Sequence, residues 1–483
     1  MSGSGTALAV VGLYLLATLA IGWYGHVRTN ATPAEYFLAG GTLGYVVFPL
    51  TLFATLMSAF VFLGSAGWGY RHGLGWLALL GVESIAGIPL ALVGLRVWRL
   101  GRERGVLTPT ELVGVAYDSD AVKLAVLLAQ FVWAIPYLAI QAMGGGLLFE
   151  TITDGAITFP QGAVLLTVVT GGYLTLGGLR SVAWSDVLQG IAVVALLAGA
   201  IAYLLPALDP IALTAELSRE TGLLTPAGER GFFTPGVWLS FLLMNAMAIV
   251  AYPQMFQRFL AAEDERAFRS LLVVWPAMVL VAAVVPVFLG VWGAAAMPGL
   301  SDPDTVLPAL LSAHAPPWLF GVVMGGALAA MMSTADSLVL TLSSIVSRDL
   351  YRAHLAPDAT PARETWVGRG VAVVLLAAGL SIALVREGTI LDLAVYFIQG
   401  NALLLPAFLG ALYWRRASAW GALASVVFGQ AYFLAAEFGP APAFAFLPFV
   451  PALAVACIAL VVGSLLSPAA KTTTLPEEAT ETP

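Results

Sequence analysis

Residues 329–337 read AAMMSTADS and lie inside the apolar stretch GVVMGGALAAMMSTADSLVLTLSSIV (321–346). A run of that length is what a membrane-crossing helix requires. Yet Ser333, Thr334, Asp336 and Ser337 stand within five consecutive positions of it. Polar groups in hydrocarbon cost several kcal/mol each unless something satisfies them, so the cluster needs partners. On a helix, Ala330, Ser333, Thr334, Ser337, Thr341 and Ser344 follow the i, i+3, i+4, i+7 rule. They form one stripe, with Asp336 about 60° beside Ser333. Such a stripe serves helix packing, because small residues let backbones approach and a hydroxyl can bond its own i−4 carbonyl. It serves equally as a set of hard oxygen ligands for a small hard cation. Packing alone leaves the mid-span carboxylate without a role.

The rest of the chain agrees with a membrane setting. Of 483 residues, 60% are hydrophobic and only 10% charged, with a mean hydropathy of +0.91. A soluble chain of this size needs more charge to cover its surface, so the class is an all-α polytopic membrane protein. Net charge −7 gives no sign of nucleic-acid binding. The single Cys457 rules out a disulfide framework within the chain. The first residues, MSGSGTALAVVGLYLLATLAIGWYG, lack a basic leader and carry too long an apolar run for a cleaved signal, so they are expected to be a retained span. The polar, acidic end at 469–483 is expected to be a disordered cytoplasmic tail following one transmembrane domain, 1–468.

Apolar windows of about 20 residues predict thirteen spans: 7–24, 43–70, 74–98, 122–148, 161–178, 183–205, 234–256, 270–296, 316–346, 366–386, 389–414, 417–437 and 442–467. With the N-terminus outside and the C-terminus cytoplasmic, seventeen Lys and Arg fall on inside loops and four (Arg71, Arg219, Arg230, Arg386) outside. That bias supports an odd number of crossings. Arg258 is counted among the inside-loop residues, which leaves no intramembrane Lys or Arg to pair a carboxylate.

A few acidic residues, Glu83, Asp186, Asp336 and Asp392, fall within spans. Glu83 and Asp392 lie near span ends, where capping or snorkelling explains a carboxylate as well as function does. Asp186 follows Gly177–Gly178 in GGLRSVAWSDVLQG (177–190), so a helix is expected to break there and restart, with Asp186 near its positive end. The span 43–70 combines Pro49, Thr55, Ser58, Gly64 and Gly67, which predicts a break at its middle. Broken helices at that depth expose carbonyls and amides and are tolerated where they line a site.

Taken together, EYFLAGGTLG (35–44), TLMSAFVFLGSAGWGY (55–70), LTPTELV (107–113), YLAIQAMGGG (137–146), YLTLGGLRSVAWSDVLQG (173–190), PQMFQRFLAA (253–262) and MMSTADSLVLTLSSIVSRDLY (331–351) resemble the sodium:solute symporter family. The resemblance implies a LeuT-like fold of two inverted five-helix repeats, 43–205 and 234–414, flanked by 7–24 and 417–467. It implies a sodium site made by the carbonyls of Ala54, Met57 and Ala330 with the hydroxyls of Ser333 and Thr334. Asp186, matching the family's Gly-Gly…Asp-x-x-Gln motif, would stand nearby as counter-charge. In some members a second sodium sits between that Asp and the equivalent of Ser337; here Asp336 stands where those members have a hydroxyl residue, and Asp336 and Ser337 are the candidates for a second sodium. Solute contacts carry over to Ser58, Ala59, Phe62, Gln141 and Asn245.

The resemblance therefore implies a sodium-coupled symporter, not an enzyme, importing a small organic solute across the plasma membrane by alternating access, with a monomer as the functional unit. Phe60 and Val61 stand where sugar-transporting members place polar side chains, and GWGY and YPQMFQRFLAA look most like the monocarboxylate, pantothenate and organic-acid branch. The alternatives are proton coupling, an amino-acid or sugar solute, or a transporter-like solute sensor. His26, His72, His314 and His354 all fall at span ends or loops, where solvation suffices as their reason.

Overall fold

The computed structural model describes residues 3–28, 43–77, 84–220, 222–385 and 389–467. Glu83 and much of EYFLAGGTLG lie outside them. The described chain contains a helical bundle that begins with α1 (Gly3–Arg28). The span expected at 43–70 is broken: α2 (Val47–Leu56) stops at Met57, whose backbone is extended. A π-helical turn over Phe60–Gly64 then leads into α3 (Ser65–His72). The two halves meet at 62°. The predicted break is where the sequence places it.

α4 (Gly87–Arg104) and the short α5 (Pro109–Tyr117) follow. Thr108 caps α5 by accepting the Glu111 amide, and Glu111 reaches back to the Leu107 amide at 2.8 Å. These reciprocal bonds satisfy amides that a helix start leaves unpaired. α6 (Asp120–Ile152) is one long crossing. Helical backbone then runs from Phe159 to Leu208 as α7, which takes up both stretches expected at 161–178 and 183–205. No helix boundary falls at Gly177–Gly178, so Asp186 is carried within helical backbone rather than at a helix start. A glycine lowers helix propensity by about 1 kcal/mol without forbidding helix, and here the helix wins.

After α8 (Pro210–Glu220), the span expected at 234–256 is also broken. α9 (Pro235–Met247) passes into a 3₁₀ turn at Ala248–Ala251, an extended Tyr252, and α10 (Pro253–Ala261). Pro253 sits in the first turn of α10, where its missing N–H is not needed. α11 (Glu265–Ala296), α12 (Val306–His314) and α13 (Pro317–Ile345) come next. A π-helical extension, Val346–Leu355, continues α13. α14 (Pro361–Val385), α15 (Ile390–Ala402), α16 (Leu405–Tyr413), α17 (Ala419–Glu437) and α18 (Phe449–Leu466) complete the order.

Among the described residues, seven helices are long and apolar enough to cross a membrane, or nine if each bent pair is one span. α13 lies deepest, with 89% of its apolar window buried, whereas the figure for α18 is 28%. A helix apolar all round and covered by other helices is the centre of a bundle; one exposed on an apolar face meets lipid. The AAMMSTADS segment is thus buried throughout. Asp392, by contrast, caps α15: its Oδ2 accepts the Thr389 amide at 2.9 Å, and its own amide donates to the Thr389 hydroxyl.

Candidate functional site

The extended residues between α2 and the π turn face the middle of α13. The Thr334 hydroxyl donates to the carbonyl of Met57 at 2.8 Å and lies 3.0 Å from that of Thr55. These carbonyls are available because the helix stops there and its next turn is not made. The Ala54 carbonyl accepts the Met57 amide at 3.1 Å at the end of α2, and a carbonyl oxygen has a second lone pair to offer. Ala54, Met57, Ala330, Ser333 and Thr334 are all buried. The structure therefore brings together the two chain segments that the sequence nominates, with Thr55 as an additional carbonyl.

From Ser333 to Ser337 the polar contacts of α13 extend to charged groups. Asp186 on α7 accepts the Ser333 hydroxyl at 2.5 Å on Oδ1 and the Thr51 hydroxyl at 2.7 Å on Oδ2. The same Oδ2 pairs with Arg258 Nη2 at 2.8 Å, and both side chains are 0% exposed. Arg258 Nη2 also donates to the Ser337 hydroxyl at 2.5 Å, and Nε to Thr51 at 3.1 Å. The expectation that Arg258 lies in a loop, and that no basic group reaches an intramembrane carboxylate, is overturned. α10 ends only after residue 258, and its residues Pro253–Ala261 are all buried. A guanidinium drawn into the interior needs a carboxylate and further acceptors to offset its lost hydration, and Asp186, Thr51 and Ser337 supply them.

Asp336 joins the same cluster through Ser337. It accepts the Tyr173 hydroxyl on Oδ2, and its Oδ1 lies 3.1 Å from the Ser337 hydroxyl. The stripe also packs as a helix face: Ser337 back-bonds to Ser333 and Thr341 to Ser337, at 2.7 and 2.8 Å. Packing and polar convergence, the two uses of such a stripe, coexist.

A small cavity of about 20 Å³ lies beside the two breaks. Leu56, Phe60, Val61, Tyr137, Asn245, Ile249, Tyr252 and Ile398 line it. Of the solute contacts expected from sequence, Asn245 is among these residues. Gln141 instead supports the break, accepting the Ala59 amide at 3.1 Å and donating to the Tyr137 carbonyl at 3.1 Å. Ser58 accepts the Tyr137 hydroxyl at 3.2 Å, and Phe62 is buried in the surrounding core. Tyr137 stacks on Phe397 with ring centres 4.1 Å apart, and Tyr252 lies 4.8 Å from the same ring. Tyr137 and Tyr252 were not singled out in the sequence. Two aromatics beside two helix breaks are the signal that could have found them.

Comparison with known proteins gives this geometry a setting. The model of the sodium:solute symporter family matches residues 36–429. The sodium/pantothenate symporter of Haemophilus influenzae is 28% identical over 445 residues, covering 89% of this chain and 90% of that protein. The sodium/proline symporter of the same organism is 26% identical, covering 97% and 96%. A solved sodium-coupled sialic acid symporter in a substrate-bound outward-open state superimposes with a TM-score of 0.82 at 19% identity, over 97% of this chain and 99% of that one. The fold is thus LeuT-like, in a multi-pass membrane protein whose relatives are transporters rather than enzymes. The chain belongs to the sodium:solute symporter family and is a sodium-coupled symporter.

Proposed function

We propose that this symporter couples the entry of sodium to import of a small organic acid, a monocarboxylate or a related carboxylate such as pantothenate. The observation that carries the reading is the junction of Thr334 with the carbonyls of Met57 and Thr55. Hydroxyl and carbonyl oxygens on two separate helices suit a small hard cation. Binding there favours the conformation in which α2 and α13 are together. Ala54, Met57, Ala330, Ser333 and Thr334 are the proposed ligands. The two interrupted spans stand at matching positions in 43–205 and 234–414, in keeping with two inverted repeats that rock about the ion and solute.

The solute assignment draws on the cavity. Its lining offers two phenols and one amide among apolar side chains, too few hydrogen-bonding groups for a polyhydroxylated sugar. The π turn and α3 begin at the break, so their positive end faces it and favours a carboxylate. The cavity is far smaller than such a solute, so binding requires its walls to part. Pantothenate and proline, the solutes named for the relatives above, both carry a carboxylate.

A thermal-stability panel with purified protein tests the assignment: pyruvate, lactate, acetate, pantothenate, proline and a hexose, each with sodium and with choline. The expected outcome is a sodium-dependent rise in melting temperature that is largest for one of the first four acids. A rise largest for the hexose, or one indifferent to sodium, would reject it; proline in first place would favour an amino-acid carrier.

A further inference from the structure

We propose that the junction of α4 with α16 is a seat for an anionic phospholipid, whose phosphate is held by Arg96. The Arg96 guanidinium lies over the Tyr413 ring, 4.6 Å from its centre. Its Nε is buried and has no hydrogen-bond acceptor. Four other arginines are matched by carboxylates: Arg258 by Asp186, Arg348 by Glu111, Arg99 by Glu265 and Arg352 by Glu364. Among the described residues no carboxylate reaches Arg96. A cation held against a ring, with its donors unused, asks for an anion from outside the chain.

The surroundings fit a lipid. Ile88 and Leu92 on α4 are 50% and 64% exposed, and with Arg96 they follow i, i+4, i+8 spacing along one ridge. Arg96 stands about 12 Å along the axis from Ile88, close to the roughly 15 Å half-thickness of the hydrocarbon core. An acyl chain lying on Ile88 and Leu92 therefore brings its phosphate to the guanidinium. Tyr413 is 47% exposed, as a phenol at the headgroup level would be. Residues 96–104 read RVWRLGRER, four arginines against one glutamate, at the end that the arginine bias assigns to the cytoplasm. Anionic lipids of that leaflet are drawn to such basic edges between helices. Stacking by one face on Tyr413 leaves the edge of the guanidinium, a planar fork that matches phosphate oxygens in pairs, open to the headgroup. Two simpler reasons for Arg96 fail. The helix dipole favours Arg102 and Arg104 in the last turn, but its effect does not reach Arg96 two turns earlier. A snorkelling arginine keeps its head in water, whereas the Arg96 Nε is buried.

Lipid titration of the full-length protein in detergent tests this without knowledge of the solute. The probes are phosphatidylglycerol, phosphatidylcholine with the same acyl chains, and inorganic phosphate, with bound lipid counted by native mass spectrometry and the melting temperature followed alongside. Wild type is expected to bind phosphatidylglycerol about tenfold or more tighter than phosphatidylcholine, the scale of one charge-assisted hydrogen bond, and to gain no stability from inorganic phosphate. Arg96→Gln breaks no ion pair and is expected to fold and to lose the preference. Tyr413→Leu keeps the charge, removes the ring that holds it, and is expected to lose most of the preference. Arg104→Gln takes the same charge from the end of α4, off the ridge, and is expected to keep it. Equal binding of the two lipids by wild type would overturn the proposal. So would a preference that survives in Arg96→Gln or Tyr413→Leu, an equal loss in Arg104→Gln, which would mean a general attraction to basic charge, or stabilisation by inorganic phosphate alone.

Discussion

Thr334 carries one hydroxyl proton and has two carbonyls within reach, at 2.8 and 3.0 Å. It can donate to only one at a time, so the Met57 and Thr55 oxygens compete for it. A sodium ion would relieve that competition by taking both carbonyls as ligands while the hydroxyl turns its lone pairs inward. Replacing Ser333 and Thr334 by Ala together is therefore expected to raise the half-saturating sodium concentration for uptake by about tenfold or more, the scale of one or two lost polar contacts. Sodium dependence unchanged from wild type would remove these residues from the site. Both were legible in the sequence because their spacing marks one face of one helix, a local property. Arg258 was not, because its burial is decided by Asp186, 72 residues away. In the local pattern it is simply the basic residue that follows an apolar span.

The broken helices show the same division between local and distant causes. The break at Met57–Ala59 was legible from the Pro, Ser and Gly content of its span. The break at 248–252 lies in MAIVAYP, which contains no glycine and only Pro253 as a signal, so it is written mostly in the tertiary context. What holds the first broken span in place is close backbone contact with α11. A Cβ added at Gly290 would come within 2.0 Å of the Ala66 carbonyl oxygen, and one at Gly69 within 2.5 Å of the Val287 carbonyl oxygen. Backbone cannot step aside as a flexible side chain can, so α3 and α11 must separate to admit a methyl group. Gly290→Ala is expected to destabilise the fold by roughly 1–3 kcal/mol, the cost of overpacking. Gly370→Ala on α14, where the new atom meets nothing within 4 Å, is expected to be neutral or slightly stabilising. Melting curves of the two variants side by side would decide: equal melting temperatures would mean that α3 and α11 do not lie this close.

At the scale of the whole molecule, alternating access requires contacts at one end of the bundle to loosen while those at the other hold. At one end, Asp349 in the extension of α13 accepts the hydroxyls of Thr108, at 2.6 Å, and Thr110, with Lys123 Nζ at 3.6 Å. Arg348 pairs with Glu111 beside them. At the opposite end, the loop before α12 carries Asp304, whose Oδ2 accepts the Ile390 amide at the start of α15 at 3.0 Å. A Cβ at Gly67 on α3 would come within 2.4 Å of the Asp304 Oδ1, so the carboxyl is wedged between α3 and α15. Burial pushes the Asp304 carboxyl up from its ordinary 3.8 to about 6; Asp302 and Asp392 add to the rise, while the Ile390 amide and Arg71 oppose it. A raised folded-state pKa means that the folded protein holds this proton more tightly than the unfolded chain. Its contribution to stability is fully present below the ordinary carboxyl range and is lost as pH rises through about 6. The Asp304 end is therefore expected to be more firmly closed at pH 5 than at pH 7.5. Hydrogen exchange over residues 303–314, corrected for the intrinsic pH effect on exchange, should show greater protection at the lower pH, and Asp304→Asn should abolish the difference. Protection independent of pH in wild type, or a pH effect that survives in Asp304→Asn, would assign the latch to another group.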